Sequence, residues 1–251
     1  MTGVPDLVRE AVEAHGGLAR WQAVREIRAR CRSGGFALAS RLQPRAFRQY
    51  EVRVSTAEPR AVVVPFPRPG RRGVFAGDTV RIESDAGLML AERPHARAAF
   101  ARFRRKLWWD RLDALHFGGY ALWNYFCAPF LFLSPGFDFA ELPPWEEEGE
   151  RWRRLRVVFP PGVPTHCREQ VYYFDATGLI RRLDYTAEVF GRWARAAHYC
   201  HDHREAGGIV VPRRRRVLPR APSGRPRWGP TLVWIAVDDV APVLDTPATP
   251  R

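Results

Sequence analysis

The sequence is almost without lysine, because Lys106 is the only one among its 40 lysine and arginine residues. The other basic residues are arginines, and they occur in every segment of the chain rather than in one block or on one helix. The formal net charge is +13 at pH 7, but a nucleic-acid site concentrates its basic residues on one face. We therefore interpret the arginines as a solvated basic surface and predict no nucleic acid as a partner.

Paired cysteines, a long apolar segment and a leader-like start are missing too. The four cysteines are widely spaced and form no C-x-x-C pair, which argues against a zinc ribbon or a disulfide framework. The longest apolar stretch, residues 120–133, is too short to span a membrane and contains Asn124 and Pro129. Residues 1–17 lack the basic segment and apolar core of a signal peptide. These absences predict a cytoplasmic protein with reduced cysteines and no transmembrane segment.

The familiar catalytic signatures are also missing. The chain has no G-x-S-x-G, no H-E-x-x-H, no phosphate-binding loop and no dinucleotide-binding fingerprint. Its densest group of potential metal ligands is HYCHDH at positions 198–203. Side chains alternate along a strand, so one face of this segment supplies at most two or three donors. We therefore predict no cofactor and no metal ion, and the sequence leaves open whether the protein is an enzyme.

The best-defined segment of the chain runs from Thr165 to Arg220. Residues 175–178 and 205–208 read DATG and EAGG, and each lies between runs rich in β-branched and aromatic residues. Turn-tolerant residues followed by glycine are typical of tight β-hairpins. With a weaker turn at 190–193, the segment is predicted to form four antiparallel strands.

Helical patterns occur in two other parts of the chain. Residues 5–14 carry one apolar stripe at helical spacing, and Gly16-Gly17 then stops the helix. Residues 94–105 and the aromatic segment 120–126 also have helical spacing. The predicted fold class is mainly β (α+β): a large curved antiparallel sheet or half-barrel with an N-terminal helix and a mid-chain helical, aromatic cover.

The remaining segments are predicted as strands, turns and a tail. Residues 36–42 are expected to form a strand, and residues 138–149 an acidic loop. Residues 1–241 are predicted to form a single half-barrel-like domain. Residues 242–251 are predicted to be a flexible C-terminal tail.

Residues 11–27, AVEAHGGLARWQAVREI, combine an amphipathic helix, a Gly-Gly stop, a short helix and the start of a strand. This opening resembles that of proteins of the lipoprotein-carrier (LolA/LolB-like) superfamily. The whole chain also resembles an uncharacterised bacterial family of similar length. The resemblance to the carrier superfamily implies an incomplete barrel whose concave side holds an apolar ligand under helices.

The glycine turns also predict which side chains of the 165–220 sheet share a face, because side chains alternate along a strand. With three-residue loops at both glycine turns and an odd-length middle loop, one face collects most of the titratable residues. Its candidate catalytic residues are His198, His166, Asp184, Glu188 and Asp202. A carboxylate beside an imidazole orients the ring and raises its basicity, as acid–base catalysis requires. The alternative is a solvated charge ladder in which neighbouring arginines neutralise the acids.

An apolar ligand is expected to meet the aromatic side chains of the cover and of the sheet. The candidate ligand-binding residues are Tyr120, Trp123, Tyr173, Tyr185 and Tyr199. The predicted function is binding of an apolar or amphipathic small molecule or lipid in the concave face of the curved sheet. The alternative is an enzyme that uses the His/Asp/Glu cluster for acid–base or metal-assisted chemistry.

Overall fold

The computed structural model of the protein describes residues 3–245. Within this range, the strands are β1 (Val24–Gly34), β2 (Tyr50–Ser55), β3 (Arg60–Val64), β4 (Arg71–Ala76), β5 (Thr79–Ser84), β6 (Met89–Arg93), β7 (Asp138–Glu147), β8 (Glu150–Val158), β9 (Glu169–Phe174), β10 (Ile180–Thr186), β11 (Arg195–Ala206), β12 (Ile209–Pro219) and β13 (Val233–Leu244). The α-helices are α1 (Asp6–Ala14), α2 (Leu18–Gln22), α3 (Phe36–Ala39) and α4 (Arg111–Cys127). Short 3-10 helices cover Ala96–Ala101, Phe103–Lys106 and Phe130–Leu133.

The strands of this range join one antiparallel sheet in the order β6-β5-β4-β3-β2-β1-β13-β12-β11-β10-β9-β8-β7. The first and last strands of the chain pair near the centre of the sheet, and β6 and β7 form its two edges. The sheet is curved and does not close into a barrel, so it has a concave and a convex face. The predicted fold class is confirmed.

The order of the strands forces the chain to cross the sheet once. Strands β6 and β7 are consecutive in sequence but lie at opposite edges, and residues 94–137 connect them. The longest element of this crossing, α4, packs against β2–β5 and also reaches β11, where Tyr125 contacts His198. The predicted mid-chain cover is therefore a helix that lies inside the curve of the sheet.

Local sequence signals set both ends of α4. The Asp110 carboxylate accepts from the backbone N–H of Asp113, and the Asp113 carboxylate accepts from that of Asp110, each at 3.0 Å. This reciprocal capping box begins the helix, and Pro129 cannot continue it beyond Cys127. Every residue from Asp113 to Cys127 is buried. A helix that is covered on all sides is part of the core rather than a surface cover.

The N-terminal helix predicted over residues 5–14 is α1, and its apolar stripe lies in the core. The carbonyl oxygen of His15, which follows α1, accepts from the N–H of Val210 on β12 at 3.0 Å. In α2, the Trp21 ring stacks on Phe130 with the centroids 4.2 Å apart. These contacts attach both N-terminal helices to the C-terminal half of the fold.

The first glycine turn forms as predicted, but the strands after it are shifted in register. Gly178 has a φ of +86° and donates to the Asp175 carbonyl at 3.0 Å. A β-bulge at residues 180–182 then adds one residue to β10, so Asp184 pairs with Val171 instead of Gln170. The predicted pairing between β9 and β10 is therefore wrong by one residue.

The second glycine turn is shorter than predicted. Gly207 and Gly208 both have positive φ, at 54° and 81°, as a two-residue type I′ turn requires. Ala206 therefore pairs with Ile209 across the turn. In the middle connection, Thr186 pairs with Arg195 and not with His198.

These shifts separate residues that the sequence predicted on one face. A slip of one residue moves each side chain to the other face of the sheet. His198 pairs with Leu183 and lies on the concave side, whereas Asp184 pairs with Ala197 and lies on the convex side. The prediction that Asp184 and His198 share a face is wrong.

Two predicted elements and the predicted tail also need correction. Residues 36–42 do not form a strand, because the N–H groups of Phe36 and Ala37 donate to the carbonyls of residues 231 and 232 and the chain turns into α3. Residues 138–147 form β7, whose prolines lie at a register shift on an edge strand where their missing N–H is tolerated. Residues 242–244 do not form a tail, because they belong to β13 and pair with β1. The other predicted tail residues, 246–251, lie outside the described residues, and a single domain over residues 1–241 stays a prediction.

We expect the substitution Gly119→Ala to destabilise the protein, although alanine favours a helix over glycine by about 1 kcal/mol. A Cβ at position 119 would overlap the Cβ of Phe75 on β4 and lie 2.6 Å from its Cγ, and overpacking of this kind costs about 1–3 kcal/mol. Urea unfolding measures the change in the free energy of unfolding. The control is Gly3→Ala, whose Cβ meets nothing within 4 Å. A gain in stability for Gly119→Ala would contradict this packing of α4.

Candidate functional site

A hydrogen-bonded group of rings lies between α4 and the C-terminal strands. The ring nitrogens of His166 lie 3.1 Å from the Tyr120 hydroxyl and 2.7 Å from the Tyr125 hydroxyl. The hydroxyls of Tyr125 and Tyr185 are 3.1 Å apart, and the Tyr185 ring stacks on the imidazole at a centroid distance of 3.9 Å. A neutral imidazole has one donor and one acceptor nitrogen, so the two phenols satisfy both. We call these four buried side chains the tyrosine–histidine network.

The tyrosine–histidine network continues to His198 on β11 and Arg215 on β12. The His198 ring packs edge-on against Tyr125 with the centroids 4.6 Å apart. Arg215 donates to the Tyr125 carbonyl at 2.8 Å, to the Cys200 Sγ at 3.2 Å and to the His198 Nε2 at 3.5 Å. All of these partners are uncharged, so the arginine is held here by neutral acceptors.

Burial keeps the ring groups of this site uncharged near neutral pH. Desolvation lowers the pKa of His166 to about 3 and the pKa of His198 well below its usual value. It also raises the pKa of the Tyr125 hydroxyl. The three groups can therefore donate and accept hydrogen bonds, but none of them has a pKa near 7, where a general base works best.

The acids that were predicted to orient the histidines lie elsewhere. Asp184 is on the convex face, where Arg182 donates to its two carboxylate oxygens at 2.7 and 2.9 Å. The fully buried Arg182 also pairs with Glu147 at 2.7 Å. Tyr173 donates to Asp184 at 2.8 Å, and Tyr199 donates to Glu147 at 2.6 Å. These five side chains form what we call the convex cluster, in which both acids are paired away from the histidines.

The remaining candidate residues are spread over the molecule. Glu188 accepts from Arg97 at 2.7 Å, and only its backbone N–H contacts the carbonyl of His166. Asp202 is exposed and accepts from Arg204 at 2.9 Å. The Trp123 indole on α4 donates to the Ser55 carbonyl of the N-terminal half. Of the ten candidates, the structure brings Tyr120, His166, Tyr185 and His198 together on the concave side. It brings Asp184, Tyr173 and Tyr199 together in the convex cluster. The catalytic or ligand-binding roles of the ten residues stay predictions.

A cleft of about 350 Å³ opens beside the tyrosine–histidine network. Its floor is formed by His116 and Tyr120 of α4, which are 2% and 0% exposed. One wall comes from the loop at residues 162–168, and the more exposed Asp78 and Arg97 lie at the rim. We call this opening the flank cleft, because it gives access to one side of α4.

Two small cavities lie in the interior near α4. Both are lined by Tyr125 and have volumes of only about 20 and 30 Å³. Each holds about one or two water molecules. The flank cleft is therefore a much roomier space beside α4 than either of them.

Sequence reasoning did not single out Tyr125, Arg215 or His116. Tyr125 lies off the helical stripe that pointed to Tyr120, because residues five apart do not share a helix face. Arg215 is one of four consecutive arginines at 213–216. Side chains two residues apart on a strand point to the same face, so Arg215 faces inward like Val217. This alternation was the signal that could have identified Arg215.

Among residues 3–245, no three His, Cys, Asp or Glu side chains converge where they could hold a metal ion. No helix in the described part of the chain is both long enough and apolar enough to cross a bilayer. The absence of a nucleic-acid partner stays a prediction.

No family model matches the chain, and no curated protein matches it. Solved structures do match. A LolA superfamily protein from Nitrosomonas europaea is similar with a TM-score of 0.51 and 11% identity, over 98% of this chain and 96% of that one. A putative outer membrane lipoprotein-sorting protein domain from Vibrio parahaemolyticus has a TM-score of 0.52 and 10% identity, over 97% and 93%. A DUF1329 family protein from Desulfovibrio piger has a TM-score of 0.52 and 14% identity, over 99% and 96%.

The chain has a LolA-like fold. The resemblance that residues 11–27 suggested is thereby confirmed at the level of the fold. Identities of 10–14% show the fold alone.

The LolA-like fold overturns the predicted cytoplasmic location, because proteins with this fold are usually periplasmic or secreted. The cysteines misled the prediction for a physical reason. All four are buried and unpaired, and burial raises the pKa of the Cys127 and Cys167 thiols. A buried, isolated thiol without thiolate character does not form disulfides readily in any compartment. The spacing of the cysteines therefore does not report the location.

The convex cluster predicts a large effect of losing its arginine. Arg182→Met is expected to destabilise the protein by about 3–5 kcal/mol, because Glu147 and Asp184 would lose their buried partner, and the cation left near Asp184 would be Arg220, at 3.5 Å. Arg181→Met is the matched control: Arg181 is more exposed and its pairing with Glu150 is 3.3 Å long. An exposed pair contributes about 0–1 kcal/mol. Equal losses in urea unfolding for the two variants would contradict the structural role of the convex cluster.

The lowered pKa of His166 predicts acid sensitivity with a definite sign. In the folded protein, His166 stays unprotonated until the pH falls to about 3. In the unfolded chain, the same side chain binds a proton below about pH 6.5. This histidine therefore contributes stability that is complete above pH 6.5 and is lost as the pH falls, by up to about 1.4 kcal/mol per pH unit.

The His166→Gln variant isolates this contribution. Between pH 6.5 and 5, the wild-type protein is expected to lose about 1–2 kcal/mol more unfolding free energy than the variant. His95→Gln, at an exposed position, is the control and should follow the wild-type curve. Parallel curves for wild type and His166→Gln would show that the imidazole is not buried and neutral.

Proposed function

We propose that this protein binds an apolar or amphipathic small molecule or lipid on the concave side of its sheet, with the flank cleft as the place where the ligand enters. The observation that carries the proposal is the floor of the cleft. An opening of about 350 Å³ reaches His116 and Tyr120, two side chains of the helix that fills the concave face. Small-molecule sites typically measure about 300–1,000 Å³.

The chemistry of the cleft supports an amphipathic ligand. Val163 and Pro164 give it apolar wall, and the Tyr120 ring lies on its floor. Arg97 lies over this ring, with its guanidinium carbon 5.8 Å from the ring centroid. Apolar walls with a few polar groups are the usual composition of a site for a partly apolar molecule.

The close packing of α4 sets the size of ligand that binds without rearrangement. A Cβ at Gly118 would overlap the ring of Phe47, and the cavity beneath the helix at this point measures only about 30 Å³. A molecule that fits the flank cleft therefore binds with α4 in place. A longer lipid chain reaches the concave face only when α4 moves away from the strands.

The LolA-like fold supports the same class of ligand. One similar structure is a putative outer membrane lipoprotein-sorting protein domain, and carriage of a lipid or other hydrophobic ligand is the activity that the similar folds suggest.

Filling the cleft tests the proposal. Isothermal titration of the wild-type protein with 1-decanol is expected to show binding. Val163→Trp places an indole in the cleft and is expected to weaken that binding by about tenfold or more, equivalent to about 1.4 kcal/mol.

Val62→Trp is the matched control, because Val62 is half-buried on β3 and does not line the cleft. It should bind 1-decanol like the wild type. Absence of binding to the wild-type protein, or equal binding by Val163→Trp, would contradict the proposed site.

A further inference from the structure

His116 is a buried imidazole whose hydrogen-bonding groups have no protein partner. Its side chain lies on α4 and is 2% exposed. Among residues 3–245, no group bonds to its Nδ1 or its Nε2. The rings of Phe75, Phe100 and Tyr120 surround it, at centroid distances of 5.9, 5.6 and 5.3 Å. Buried polar side chains nearly always have a hydrogen-bond partner, so a completely unpaired imidazole points to a missing one.

The comparison with His166 shows where that partner would lie. Both histidines pack against Tyr120, but both nitrogens of His166 are bonded to phenol hydroxyls. His116 lines the flank cleft, and His166 does not. The imidazole that borders the cleft is therefore the one whose nitrogens lack partners, and both nitrogens are buried.

Two of the charged side chains at the cleft, Arg97 and Asp78, are already engaged. Arg97 donates to the Glu188 carboxylate at 2.7 Å and to the carbonyls of Thr165 and His166 at 3.1 Å each. Asp78 accepts from the backbone N–H of Arg97 at 3.0 Å. A charged head group that paired with Arg97 or Asp78 would have to break these contacts.

His116 itself is neutral near pH 7, because burial lowers its pKa to about 4. A neutral imidazole offers one N–H donor and one acceptor nitrogen. A hydroxyl group can donate to the acceptor nitrogen of the neutral imidazole, which an ether oxygen cannot do. A carboxylate can only accept, and it would place an uncompensated charge among aromatic rings.

We propose that the flank cleft selects amphipathic ligands with an uncharged, hydroxyl-type head group, which hydrogen-bonds to His116 at the floor of the cleft. This inference rests on the proposed function and adds the chemical class of the ligand. The apolar part of the ligand lies along Val163 and Pro164. The head group supplies the hydrogen bond that the protein does not.

Three probes of similar length test this selectivity by isothermal titration at pH 7. They are 1-decanol, its isomer nonyl methyl ether, which lacks the O–H donor, and decanoate, which carries a charge. The wild-type protein is expected to bind the alcohol about five- to tenfold more tightly than the ether, the effect of one net hydrogen bond. Decanoate is included because the cleft has a further cation, the exposed Arg168, with which a carboxylate could pair. Decanoate is expected to bind more weakly than the alcohol.

Two variants assign the preference to the imidazole. His116→Phe keeps an aromatic ring without polar atoms, and its affinity for 1-decanol is expected to fall to that for the ether. His116→Gln retains a donor and an acceptor and is expected to keep part of the preference. In ¹⁵N NMR spectra of the wild-type protein, the ring nitrogens of His116 should shift on addition of 1-decanol.

The outcomes separate this inference from the proposed function. If none of the three probes binds to the wild-type protein, the proposed function is contradicted and this inference falls with it. If the probes bind but the alcohol has no advantage over the ether, or decanoate binds most tightly, only the selectivity is contradicted. Unchanged ¹⁵N resonances in the presence of bound 1-decanol would mean that an ordered water, and not the ligand, bonds to His116. That result would also overturn the proposed selectivity.

Discussion

An open, curved sheet has an apolar concave face that must be removed from water, and α4 does this by lying inside the curve. The crossing between the two edge strands places a helix there, and a helix can be buried because it hydrogen-bonds its own backbone. Once α4 is surrounded on all sides, each of its polar side chains needs a partner within the fold. The tyrosine–histidine network supplies partners for Tyr120 and Tyr125, and the flank cleft is the space left beside His116.

The sequence was sufficient for the architecture but not for the pairing of the strands. Glycines that require positive φ, such as Gly178 and Gly208, identify turns because few other residues adopt that conformation. The bulge at residues 180–182 has no comparable signal, since it depends on how the whole strand packs. Strand β7 could not be predicted for a similar reason. Pro143 and Pro144 suggested a loop, but they are tolerated in a strand here because β7 lies at the edge of the sheet.

The candidate site was predictable only in part, for the same reason. The sequence marked His166, His198, Tyr120 and Tyr185 as unusual side chains, and the fold does place them near one another. Their grouping with carboxylates depended on register, and a slip of one residue placed Asp184 on the convex face. Contacts across α4 join residues that are about 40–90 positions apart, and no local pattern encodes them.

The central claim is that a ligand meets the protein in the flank cleft beside α4, and intermolecular nuclear Overhauser effects test it most directly. Deuterated protein with protonated valine methyl groups would be mixed with protonated 1-decanol. Cross-peaks from the alkyl chain to the Val163 methyl groups are predicted, because Val163 lines the wall of the cleft. Cross-peaks confined to valines outside the cleft, such as Val62, would contradict the account.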